Sequence, residues 1–149
     1  MNKVISILSI NLFFLICTVT VNGQEDRKSE KEHPTKQATV EMPELNNGEK
    51  WQVNEEMKPH IKNAESAFHE FLSKPAPNYK ELSEVLNEQN QNLIASCTMK
   101  GKSHDELHKW LYPHLQLVKG LSNAKSDNEA NKILGDIRMS FITYHKYFE

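Results

Sequence analysis

Apolar residues recur at helical spacing in four successive segments of this 149-residue chain. In the first segment, residues 51 to about 73, regular helix is predicted to begin near Lys58, because Pro59 suits a first helical turn. The second segment covers residues 79 to about 98, after Asn78, a residue type that caps helix N-termini. The apolar rows of these two segments comprise Met57, Ile61, Ala64, Phe68, Phe71 and Leu72, then Leu82, Val85, Leu86, Gln89, Leu93, Ile94 and Cys97.

Two short motifs mark the starts of the third and fourth helices. Residues 103–106 (SHDE) and 126–129 (SDNE) both match the capping box, in which a Ser and a Glu three residues later satisfy free backbone N–H groups. Gly101 can adopt the left-handed conformation that ends a helix, and Pro113 predicts a kink within the third helix. The apolar rows are Leu107, Trp110, Leu111, Leu115, Val118 and Leu121, then Ala130, Ile133, Leu134, Ile137, Phe141, Tyr144 and Phe148.

Four amphipathic helices joined by short loops predict an all-α fold, an up-down-up-down four-helix bundle over residues 49–149. No alternating strand pattern or hairpin motif occurs in the chain. An open array completed by a partner and a swapped dimer remain alternatives. Residues 24–48 are charged and poor in large apolar side chains, which predicts a disordered, flexible tether before the bundle.

The first 23 residues have the pattern of a secretory signal peptide. Lys3 provides a short positive start, residues 4–21 are mainly apolar, and Gly23 is a small residue at the expected cleavage position. We therefore expect a cleaved signal peptide and a periplasmic or secreted mature chain that has no membrane span. A retained membrane anchor, or a lipoprotein processed at Cys17, is an alternative.

Cysteine content and charge narrow the classes of function. Cleavage after Gly23 would leave Cys97 as the single cysteine, which suggests a buried apolar residue, an intermolecular bridge or a metal ligand. The formal net charge of the full chain is −2, and neither sign dominates any long stretch. This pattern argues against a nucleic-acid partner.

Alternation of the four helices gathers sulfur and imidazole side chains at one end of the bundle. A set of thiol, thioether and imidazole groups with no inward carboxylate favours a soft metal ion, copper before zinc. We therefore predict a metal-binding protein that buffers, chaperones or senses copper. The predicted ligands are Cys97, Met99, His104 and His108, with His60 and His145 as supporting or alternate groups and Met57 at the same end.

Other functions remain open. In a haem-b four-helix protein, Met57 and His145 would be the axial ligands, and covalent haem is excluded because no Cys-x-x-Cys-His motif occurs. In a metal-free bundle, Trp51, Trp110 and Tyr112 would bind another periplasmic protein. An enzyme is not expected, since neither a Ser-His-Asp arrangement nor paired Glu-x-x-His motifs can be assembled.

Two stretches of the chain, CTMKGKSHDELHKWLYPHL and EANKILGDIRMSFITYHKYF, resemble a family of small exported four-helix domains of unknown function in Bacteroidetes-type bacteria. The resemblance rests on Met99, on the Gly-x-x-His turn from Gly101 to His104, on Trp110, and on the aromatic Tyr-His-x-Tyr-Phe ending. It spans about residues 50–149. Some relatives of that family accompany copper and silver efflux adaptor proteins. Because this chain has no adaptor hairpin or membrane-fusion domain, we expect a free-standing periplasmic protein rather than an efflux subunit.

Overall fold

The structure, a computed structural model, describes residues 41–75 and 78–149. The helices are α1 (Lys58–Leu72), α2 (Tyr79–Ser96), α3 (Lys102–Asn123) and α4 (Asp127–Tyr147). Within the described residues there is no β-sheet, and extended backbone forms isolated bridges alone. The predicted all-α four-helix fold is therefore confirmed.

The helices pack in chain order, α1 on α2, α2 on α3 and α3 on α4. Residues 97–101 join α2 to α3 and residues 124–126 join α3 to α4, and such short connections make neighbouring helices antiparallel. The seam between α1 and α4 is looser. The rings of Phe68 and Phe141 meet edge to face across it, with centroids 5.8 Å apart. The bundle therefore follows the predicted up-down-up-down order and is least closed between its first and last helices.

Three helix starts follow the predicted chemistry. Helix α1 begins at Lys58. The Asn78 side chain accepts a hydrogen bond from the N–H of Glu81, at 3.2 Å. The Ser126 hydroxyl accepts one from the N–H of Glu129, also at 3.2 Å, so the capping box at residues 126–129 is confirmed.

The capping box predicted at residues 103–106 is wrong. Helix α3 begins two residues earlier than a Ser103 cap would place it, at Lys102, and Gly101 occupies the N-cap position with φ +64°. The Ser103 hydroxyl donates backwards to the carbonyl of Lys100, at 3.2 Å, so it caps nothing. The Glu106 carboxylate instead accepts a hydrogen bond from the N–H of Glu44, at 2.7 Å. A contact distant in the sequence therefore replaces the local one.

The core follows the predicted apolar rows with a few exceptions. Leu72 and Ile94 were assigned to the core but are 41% and 48% exposed. On α2 the inward polar residue is Asn90, which is buried, whereas Gln89 is half-buried. The core forms two clusters: one contains Ala64, Phe68, Phe71, Leu82, Leu86, Val118, Leu121, Ala130, Leu134, Ile137 and Phe141, and the other contains Trp51, Val53, Met57, Ile61, Leu93, Leu107, Trp110, Leu111, Tyr144 and Phe148.

Residues 41–57 form an N-terminal strap with turns at residues 47–48 and 55–57, and its part around Trp51 lies along the end of α4. The N–H of Trp51 donates to the carbonyl of Tyr147 at 2.8 Å, and the N–H of Glu149 donates to the carbonyl of Trp51 at 3.0 Å. The indole N–H of Trp51 donates to the carbonyl of Glu44 at 2.7 Å. The folded part therefore begins before the expected boundary at residue 49, because these hydrogen bonds hold residues that composition alone assigns to a tether.

The tryptophans do not form the partner surface that the sequence suggested. Trp51 and Trp110 are 9% and 3% exposed, and the indole N–H of Trp110 donates to the carbonyl of Ser140 at 2.8 Å. Both rings fill the core, and each polar N–H is satisfied inside it. Of the three proposed surface residues, Tyr112 alone is exposed.

The predicted signal peptide, residues 1–23, and residues 24–40 of the predicted tether lie outside the described residues. Among the helices that the structure describes, none combines the length and the apolar character needed to cross a bilayer.

Candidate metal centre

The loop between α2 and α3 brings a thiol and an imidazole into contact. Cys97 follows the last residue of α2 in extended conformation, and its Sγ atom lies 3.6 Å from Nδ1 of His104 in the first turn of α3. The N–H of Thr98 donates to Oδ1 of Asn54 in the N-terminal strap, at 2.9 Å, and ties the loop down. The pair can form a thiol–imidazole hydrogen bond, or both atoms can bind one ion.

This pair lies beside a small recess of about 90 Å³ between α2 and α3. Of the predicted donors, Cys97, His104 and His108 line it, together with Met57, whose side chain is completely buried. Met99 packs against the same core cluster but does not line the recess. The remaining lining residues are apolar: Leu93, Ile94, Leu107 and Leu111.

His104 and His108 lie one turn apart on α3, and their rings are in contact at a tilt of 54°, with centroids 4.2 Å apart. The Tyr112 hydroxyl extends this row and lies 3.1 Å from Nδ1 of His108. Burial lowers the pKa of His108, neighbouring His104 lowers it further, and Asp105 opposes them without reversing the shift. The neutral imidazole, which is the form that binds metals, is therefore favoured at His108.

His60 and His145, the predicted supporting groups, do not line the recess. Nδ1 of His60 lies 3.5 Å from the amide oxygen of Gln89 on α2, a long contact. Nε2 of His145 lies 2.6 Å from a carboxylate oxygen of Glu65 on α1. Sharing one end of the bundle was not sufficient to bring these side chains to Cys97, because each has a partner on an adjacent helix.

The structure does not place the two predicted haem ligands around one cavity. Met57 lines the recess between α2 and α3. His145 lines a separate groove between α1 and α4, with a volume of about 620 Å³. No common cavity of the described residues lies between the two side chains, so the haem alternative has no geometric support.

Across residues 41–75 and 78–149, no three His, Cys, Asp or Glu side chains form a group that could hold a metal ion. What the recess offers is a smaller donor set, the contacting thiol and imidazole, with a second imidazole in tilted contact with the first and a thioether that lines the same recess. Such a set suits an ion that accepts few ligands and prefers sulfur.

Among the buried polar side chains, Ser83 and Asn90 on α2 and His114 on α3 escaped the sequence reasoning. His114 is completely buried, and burial lowers its pKa to about 4. Its position was readable from the sequence: it lies three residues after Leu111 and four before Val118, in the inward row of α3. For Asn90 no such signal existed, because Gln89 fits the same row equally well.

Comparison of the chain with models of protein families, with curated proteins and with solved structures found no match. The arrangement of residues described above therefore provides the basis for a functional assignment.

Proposed function

We propose that this chain is an exported protein that binds Cu(I) at the recess beside Cys97 and His104. The proposal depends above all on the 3.6 Å separation between Sγ of Cys97 and Nδ1 of His104. Metal–sulfur and metal–imidazole bonds in proteins are about 2.3 Å and about 2.0 Å long. One ion can therefore reach both atoms without displacing either side chain.

The number and softness of the donors support copper over zinc. A structural zinc ion takes four ligands from Cys, His, Asp and Glu, and the described residues contain no group of even three. Cu(I) is stable with two or three ligands and prefers thiolate, thioether and imidazole. The thioether of Met57, on the wall of the same recess, would provide the third ligand.

The surroundings suit reversible binding of a cuprous ion. The recess is small, and its remaining wall is made of leucine and isoleucine side chains, which limit the access of water and oxidants. Cys97 itself is half-buried, so an ion can still enter from solvent. This combination is suited to a buffer, chaperone or sensor of copper outside the cytoplasm.

Export is the second part of the proposal. It is supported by the signal-peptide pattern of residues 1–23 and by the resemblance to exported four-helix domains, some of whose relatives accompany copper and silver efflux adaptor proteins. Mass spectrometry of chain recovered from the periplasm would test it, and the expected N-terminus is the residue after Gly23. Recovery of the intact N-terminus in the membrane fraction would contradict export of the mature chain.

Competition with a chromogenic Cu(I) chelator under reducing, oxygen-free conditions tests the metal site. We expect the wild-type chain to withdraw one Cu(I) ion from the chelator. The double substitution Cys97→Ala and His104→Ala should weaken that binding at least about tenfold, because it removes both contacting donors.

One control variant and one control measurement make the result interpretable. His69→Ala removes an exposed histidine outside the recess and should leave the competition unchanged. Circular dichroism must show that the double variant keeps the helical content of the wild type. Equal Cu(I) affinity of the double variant and the wild type would exclude this site.

A further inference from the structure

A cavity lies between α1 and α4, away from the proposed copper site. Extensive packing joins consecutive helices, whereas the first and last helices approach each other at few positions. The gap is a groove of about 620 Å³. A volume of 300–1,000 Å³ is typical of sites for small molecules.

Apolar side chains line part of this groove. Phe68 and Phe141 are almost completely buried and meet edge to face within it. Ile142 also lines the groove but remains 53% exposed. Three residues earlier on α4, Met139 is 57% exposed. The groove therefore provides an apolar surface that the fold itself leaves partly uncovered.

Positive charge is available along the same groove. Arg138 and Lys146 on α4 both line it and are exposed. Among the described residues, neither side chain has a carboxylate within 4.0 Å, although the Lys146 ammonium lies over the ring of Tyr147 at 4.9 Å. The single carboxylate of the groove, on Glu65, is 2.6 Å from His145. The groove therefore contains two cationic groups for which residues 41–75 and 78–149 supply no acidic partner.

We infer that the α1–α4 groove binds a small anionic amphiphile, a molecule with one acidic head and a hydrocarbon body. The hydrocarbon would cover Phe141 and Ile142. The acidic head would pair with Arg138 and Lys146, because hydrogen bonds between ionised groups are stronger than those between neutral groups. A cationic or neutral amphiphile would leave both cations without a partner. A second copy of the chain is disfavoured, because a two-fold contact would place each copy's cationic edge against the same edge of its partner.

Isothermal titration with dodecanoate, kept below its micelle concentration, tests this inference on the chain purified from the exported fraction. Dodecanol and dodecyltrimethylammonium have the same hydrocarbon tail with no charge or the opposite charge. We expect one dodecanoate per chain and affinity at least about tenfold weaker for the other two probes, as for loss of a charged hydrogen bond. Methyl NMR signals of Ile142 should shift on binding.

Two variants separate a charge-selected site from general hydrophobic adsorption. The pair Arg138→Gln and Lys146→Gln should weaken dodecanoate binding about tenfold, whereas Lys119→Gln with Lys132→Gln removes the same charge from exposed positions outside the groove and should change it less than twofold. Ile142→Glu, at an exposed position, should abolish binding without affecting folding. The copper-site variant should bind dodecanoate normally, so the two proposals can fail separately.

Three results would overturn the inference. One is equal affinity for the acid, the alcohol and the cation. Another is an unchanged affinity in the Arg138→Gln, Lys146→Gln variant. The third is binding of an acidic amphipathic helix in the groove by a chain that does not bind dodecanoate, which would identify the occupant as a protein segment.

Discussion

Nδ1 of His114, a completely buried residue on α3, lies 2.9 Å from the hydroxyl oxygen of Ser140 on α4. The imidazole stacks on Trp110 with centroids 5.0 Å apart and meets the ring of Phe141 at 5.1 Å. Its Nε2 atom has no hydrogen-bond partner in the part of the chain that the structure describes. A protonated imidazole would be poorly accommodated here, which is why burial lowers the pKa of His114 to about 4.

This histidine should make the fold sensitive to acid. The unfolded chain has an ordinary histidine pKa of about 6.5, so between about pH 6.5 and about pH 4 it binds a proton that the folded chain does not bind. The free energy of unfolding therefore falls as the pH falls through that range. Between about pH 7.5 and about pH 4.5, His114 should account for a loss of roughly 2–3 kcal/mol.

Urea unfolding followed by circular dichroism at both pH values measures this effect. His114→Phe retains an aromatic ring but cannot be protonated, so the variant should lose less stability on acidification than the wild type. His69→Gln, which removes an exposed histidine, is the matched control and should behave as the wild type does. Equal acid sensitivity of wild type and His114→Phe would contradict the argument.

The bundle was predictable because helical periodicity and capping are local properties of a sequence. Asn78 and Ser126 cap α2 and α4 as expected, and each cap needs a partner only three residues away. The cap at Ser103 failed because Glu106 found a partner in Glu44, 62 residues earlier. A single sequence does not show whether a residue distant in the chain will replace the local hydrogen-bond partner.

For the candidate site, too, the sequence predicted contacts between residues close in the chain but not those between distant residues. Alternation of helices correctly placed Cys97 against His104, because the two flank one short loop. It could not exclude His145, whose partner Glu65 is 80 residues away. Antiparallel order determines which helix ends meet, while the rotation of each helix, which depends on the packing of the whole core, determines which side chains meet.

The buried Glu106 carboxylate should anchor the N-terminal strap to α3. It accepts hydrogen bonds from the N–H of Glu44 at 2.7 Å and from Nζ of Lys109 at 2.9 Å. Burial acts to raise the pKa of Glu106, but these two partners outweigh it and hold the pKa below its ordinary value. The carboxylate therefore stabilises the fold above the ordinary carboxyl pKa, and this contribution is lost as the pH falls through the lower folded-state pKa.

Glu106→Gln should lower the free energy of unfolding near neutral pH by about 1.5–3 kcal/mol, the range for a lost charged hydrogen bond. Hydrogen exchange at the amide of Glu44 should become faster, which reports release of the strap directly. Glu88→Gln, at an exposed position on α2, should change neither quantity. Unaltered exchange at Glu44 would show that the strap is held by other contacts.

Phe148, which is completely buried, should hold the end of α4 and the strap together. Its ring stacks on Tyr144 with centroids 5.4 Å apart, and its backbone forms a parallel bridge with Trp51. Phe148→Ala should lower the free energy of unfolding by about 3–5 kcal/mol, because it leaves a cavity that rigid neighbours cannot fill. Met139→Ala, at a position that is 57% exposed, should change it by less than about 0.5 kcal/mol. Similar urea midpoints for the two variants would contradict this role.

Substitution by alanine should lower the stability of the fold at Gly101 and raise it at Gly135. Gly101 also lies in the turn on which the candidate copper site depends. Gly101 has φ +64° in the turn that brings Cys97 to His104, so Gly101→Ala should cost about 1–3 kcal/mol of stability and also weaken Cu(I) binding. Gly135 lies exposed within α4 with nothing within 4 Å of an added Cβ, so Gly135→Ala should add about 0.5–1 kcal/mol and leave Cu(I) binding unchanged. Thermal unfolding and chelator competition on both variants measure these effects. If the Gly101→Ala variant had the same thermal stability and the same Cu(I) affinity as Gly135→Ala, the positive φ of this turn would not be required for the site.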